Sequence, residues 1–77
     1  MNRNTIIEKL KSGYQAVLIP ADFGSYPSIF WVKDEEVFCF NKALGIFKHP
    51  KSIEQIADFI ERESKYMSVV AFRGAER

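Results

Sequence analysis

Residues Ser28 to Asn41 constrain this chain more than any other stretch. They comprise two apolar runs, Ser28-Ile29-Phe30-Trp31-Val32-Lys33 and Glu36-Val37-Phe38-Cys39-Phe40-Asn41, separated only by Asp34-Glu35. Each run is short, rich in β-branched and aromatic residues, and closed by polar or charged residues, which predicts a β-hairpin. The simplest register sets Lys33 opposite Glu36 and so places unlike charges across from each other. Opposite residues share a face, so Trp31 lies beside Phe38 and Ile29 beside Phe40 on one side. Val32 beside Val37 and Phe30 beside Cys39 make up the other. Asp34-Glu35 lacks the Gly or Asn of the favoured two-residue turns, and a four-residue turn of the same register is as good an expectation. With either turn, both faces of the hairpin are apolar and each needs a cover.

What can supply that cover is limited by size. A chain of 77 residues has room for one domain, spanning residues 1–77, and buries only roughly 60–65% of the surface that it exposes when unfolded. Its apolar fraction of 47%, with 14% aromatic, argues against disorder and leaves large rings in surplus over a modest core.

Two short helices are predicted. Thr5-Ile6-Ile7-Glu8 has the form of a capping box that starts a first helix carrying Ile6, Ile7 and Leu10 on one side, and Gly13 closes it. Ser52-Ile53-Glu54-Gln55 is a second capping box, opening a helix from Ser52 to Ser64 whose Ile53, Ile56, Ala57 and Ile60 recur at i, i+3, i+4 and i+7. On its outer side, Asp58 with Arg62 and Glu61 with Lys65 are spaced as i, i+4 ion pairs.

Further strands flank the hairpin. Tyr14 to Ile19 alternates until Pro20 ends it, and Leu44 to Lys48 reads as a third hairpin-connected strand with Gly45 as a bulge or close-approach position. His49-Pro50 stops that strand. Tyr66 to Phe72 alternates again, and residues 74–77 read as a frayed tail. The fold class expected is therefore α+β: a small single domain ordered α-β-β-β-β-α-β, with an antiparallel sheet of three to five strands and both helices packed on one face.

Several chemistries are excluded. Eleven Lys and Arg against ten Asp and Glu leave a net charge of +1, so no global field draws the chain to nucleic acid or to a charged membrane. One Cys and one His make neither a disulfide nor a zinc site, and no cofactor motif is present; a reducing cytoplasm fits best. No apolar run approaches the ~18 residues of a membrane span, and the first residues do not read as an export signal, which predicts a soluble chain. Asp22-Phe23-Gly24 matches a kinase metal-binding triplet, but the glycine-rich loop, strand lysine and catalytic-loop residues it needs are missing, so it reads as a turn. His49, between Lys48 and Lys51, reads as a neutral loop histidine, and Cys39, mid-strand, as a small hydrophobe with a raised pKa. The carboxylates share no pocket with an acid, base or oxyanion donor, and the chain is expected to be non-enzymatic.

The aromatic surplus points to binding. Two short helices cover one face of a sheet, and the other face is either covered by Phe23, Tyr26 and the last strand, or left open as a binding patch or homodimer seam. The second reading makes Phe23, Tyr26, Trp31, Phe38 and Phe40 a protein-binding surface, rimmed by Lys33 and Glu36. It describes a small regulator, an inhibitor or adaptor of the kind phages and mobile elements carry, whose partner is another protein or a second copy. The alternative is a nucleic-acid-binding module that uses the three-stranded sheet with Lys42, Lys48 and Lys51 as phosphate contacts. The apolar outward face and the near-neutral charge disfavour it.

Overall fold

A computed structural model describes residues 2–21, 25–66 and 68–74. The chain runs α1 (Arg3–Lys11), β1 (Gln15–Pro20), β2 (Ser28–Lys33), β3 (Glu36–Asn41), β4 (Gly45–Lys48), α2 (Ile53–Tyr66) and β5 (Ser68–Arg73). This is the expected element order. The strands form one five-stranded antiparallel sheet in the order β4-β3-β2-β1-β5. β1 to β4 are a meander, and α2 returns the chain so that β5 joins the free side of β1.

The β2–β3 register pairs Lys33 with Glu36, Trp31 with Phe38, Phe30 with Cys39 and Ile29 with Phe40, as the alternation requires. Asp34 and Glu35 both take left-handed backbone, at φ 53° and 65°, so the two-residue turn wins over the four-residue one. Its twist matches that of the paired strands, and this outweighs the steric penalty on two residues with Cβ atoms. The next hairpin turns through Leu44 N–H to the Asn41 carbonyl, and Asn41 Oδ1 accepts from Ala43 and Leu44 N–H. Gly45 has φ +76° with open space where a Cβ would stand. It opens β4 opposite Asn41 in an unbroken register, so it is neither a bulge nor a close approach, and Leu44 belongs to the turn, not to the strand.

α1 begins three residues before the expected start. Its N-cap is Asn2, whose side chain accepts from Thr5 N–H, so Thr5 is inside the helix and not its cap. Asn is among the strongest N-cap residues, and capping at Asn2 adds most of a turn. The other end closes as expected: Gly13, at φ 98°, donates to the Leu10 carbonyl while Tyr14 N–H reaches the Lys9 carbonyl, a Schellman arrangement. The second capping box forms reciprocally. Ser52 Oγ accepts from Gln55 N–H at 3.1 Å, and Gln55 Oε1 accepts from Ser52 N–H at 3.0 Å.

One buried cluster joins both helices to one face of the sheet. Ile6 and Leu10 of α1 and Ile53, Ile56, Ala57 and Ile60 of α2 meet Ala16, Leu18, Phe30, Val37 and Cys39. In place of the ion pairs expected along α2, an ion pair and a backbone hydrogen bond join the helices. Asp58 binds the Arg3 guanidinium, not Arg62, and Glu61 accepts from Arg3 N–H at 3.0 Å. A helix N-terminus has unpaired N–H groups and a partial positive charge, so carboxylates on the adjacent helix are drawn to it. Tyr66 ends α2 instead of starting the last strand. Residues 75–77 of the expected tail lie outside the described residues.

Candidate functional site

With both helices on one face, the period of two sends every second strand residue to the other. Pairing aligns these residues into a row across all five strands: Ile46 opposite Phe40, Phe40 opposite Ile29, Ile29 opposite Val17, and Val17 opposite Ala71. No polar residue interrupts it. Toward one end of the face Ile19 pairs with Val69. Toward the other, Trp31 and Phe38 stack with ring centroids 6.2 Å apart and planes 16° from parallel. Charged groups close that end: Lys48 faces Phe38 and holds Glu36 at 2.9 Å, and Arg73 bonds Gln15 at 3.0 Å.

Neither helix lies over this face, and β5 extends the sheet edgewise instead of folding across it. Ile46 is 69% exposed, Val69 64%, Ile19 41% and Phe40 36%. Trp31, Phe38, Ile29 and Val17 are half-buried. Isolated exposed apolar residues are ordinary on a protein surface, but a contiguous row of them is not.

Of the five residues expected to form the binding surface, the structure brings Trp31, Phe38 and Phe40 onto this one face. Tyr26 is exposed in the loop before β2, with Lys42 Nζ 4.6 Å from its ring centroid. Phe23, like the whole Asp22-Phe23-Gly24 triplet, lies outside the described residues. Sequence reasoning passed over Val17, Ile19, Ile46, Val69 and Ala71. The alternation in their strands was a usable signal, but assigning them to this face required the order of the strands.

The three lysines of the nucleic-acid alternative do not form one cluster: Lys48 and Lys51 line a common groove, and Lys42 is apart from them. Lys42 is in the β3–β4 turn against Tyr26, Lys48 is at the far end of β4 on the open face and paired with Glu36, and Lys51 follows β4 on the way to α2. Cys39 is buried on the helix-covered face, and burial pushes its thiol pKa up. The His49 ring lies tilted against Phe30 and Phe47, with centroids 6.1 and 6.0 Å away. Burial, and then the charge of Lys51, lowers its pKa. Among the described residues, no three of His, Cys, Asp or Glu are grouped to hold a metal ion, and no helix is long and apolar enough to cross a membrane. Compared with known proteins, the chain matches no family model, no curated protein and no solved structure.

Proposed function

We propose that this protein is a small non-enzymatic regulator, an inhibitor or adaptor, that acts by binding another protein through the open face of its sheet. The observation that carries this reading is the unbroken apolar row from Ile46 to Ala71, left bare by helices that both lie on the opposite side. Five strands spaced about 4.8 Å apart and about 20 Å long give a footprint of roughly 500 Å² in projection, before the relief of the side chains is added. Standard protein interfaces bury about 800 Å² per partner, so the face is of the right order for one specific contact. Its centre is aromatic and aliphatic and its charges stand at the rim, the distribution that interfaces favour.

The test is differential capture of partners from the native cell, with solution mass measured in parallel. Phe40→Thr with Ile46→Thr makes the row polar while keeping strand-compatible side chains. Lys65→Gln, an exposed change on α2, is the control. The reading requires a partner, or a dimer, that the parent and the control retain and the double variant loses. Equal retention by all three refutes it.

A further inference from the structure

The helix-covered side is incompletely closed. α2 packs against α1 and β5, and toward β3 and β4 a cleft of about 430 Å³ remains between helix and sheet. Its apolar lining is Phe30, Cys39, Phe47, Ile56 and Phe59, with the His49 ring against two of the phenylalanines. Volumes of ~300–1,000 Å³ with an apolar lining and a few polar groups are typical of small-ligand sites.

Three polar residues of the cleft have an acceptor atom already engaged by the backbone, and the Ser28 hydroxyl, which can donate or accept, lines it as well. Asn41 Oδ1 takes two backbone N–H groups of the β3–β4 turn. Gln55 Oε1 takes Ser52 N–H in the capping box. His49 Nδ1 accepts from Lys51 N–H at 3.2 Å, so the neutral ring carries its proton on Nε2. Because each of these partners is a backbone donor, the amide and imidazole orientations follow from the bonding. Each of these three side chains therefore keeps an N–H donor beside its engaged acceptor. Asp58, also in the lining, is countered by Arg3. Two cations remain, Lys51 and Arg62, and neither makes an ion pair among the described residues. The Arg62 guanidinium lies over the Phe59 ring, 5.8 Å from its centroid.

We infer that this cleft binds a small aromatic anion, a ring bearing one carboxylate or phosphate, with the ring against Phe47 and Phe59 and the anionic group on Lys51 and Arg62. Side-chain donors from Asn41, Gln55 and His49 complete the lining, and its one carboxylate, Asp58, is engaged by Arg3. The site is on the opposite side of the sheet from the proposed partner face and stands independently of it.

The test is a titration of amide chemical shifts with four probes: phenyl phosphate, benzoate, benzyl alcohol and inorganic phosphate. The expected result is saturable binding of at least one aromatic anion, with shifts centred on His49, Lys51, Gln55, Phe59 and Arg62; which of the two binds more tightly identifies the anionic group. Arg62→Gln and Lys51→Gln alter exposed side chains, and each should weaken that binding about tenfold, the loss of a charge-assisted hydrogen bond. The inference is overturned if neither aromatic anion shifts these residues at millimolar concentration. It is equally overturned if benzyl alcohol or inorganic phosphate binds as tightly as the aromatic anions, or if the two variants bind as the parent does.

Discussion

Ile46→Ala separates the open face from the core most sharply. The substitution removes three carbons, worth about 2.4 kcal/mol if fully buried at ~0.8 kcal/mol each. Ile46 is 69% exposed, so only about a third of that, ~0.7 kcal/mol, is already invested in the fold. Alanine's weaker strand preference adds at most about 1 kcal/mol. The remaining two thirds, ~1.7 kcal/mol, is what a partner gains by covering the residue, and losing it weakens binding about twentyfold. Phe30→Ala is the control on the opposite face: at 4% exposure it should cost about 3–5 kcal/mol of stability. Urea denaturation reads the first quantity, and titration against the captured partner, or sedimentation if the partner is a second copy, reads the second. Two outcomes refute the reasoning. If Ile46→Ala loses ~3 kcal/mol of stability or more, β4 is held by contacts other than those described. If it is stable and binds like the parent, the row is not the contact surface.

Three further outcomes follow from the same structure. Glu35→Gly should raise stability by roughly 0.5–1 kcal/mol and Gly45→Ala should lower it by about 1 kcal/mol, because both positions have left-handed backbone that glycine adopts without the Cβ penalty; thermal unfolding of the pair reads opposite signs from one cause. Ser52→Ala, which removes one half of the reciprocal capping box, should cost about 1 kcal/mol, seen as a lower urea midpoint with an unchanged slope. His49 is held below its ordinary value of 6.5 by burial first and Lys51 second, so the folded state binds fewer protons than the unfolded chain as pH falls below that value. Its contribution is complete above the unfolded value and is lost as pH drops through the folded one. Urea midpoints of His49→Phe should therefore be less pH-dependent than those of the parent in that window, and identical slopes would contradict the assignment.

Local patterns carried much of this protein in its sequence. Alternation across Ser28 to Asn41, with Lys33 and Glu36 at the turn, determined the hairpin register, because a slip of one residue exchanges the two faces. The Ser52-Gln55 box and the stripe of Ile53, Ile56, Ala57 and Ile60 determined α2 in the same way: capping and helical periodicity act over a few residues. Even the shortness of the two helices signalled that they could cover only one face of the sheet. The α1 start was not decided locally, since Asn2 and Thr5 are both good caps. Asp58 had a suitable partner four residues on in Arg62, and only the docking of α1 supplied Arg3, 55 positions away. That choice released Arg62 to the cleft. The placement of β5 beside β1 likewise carried the open row to Ala71, and the packing of α2 against β5 left Phe47 and Phe59 half-covered. These are relations between segments remote in the chain, set by how a small number of helices and strands share one core, and no local period encodes them.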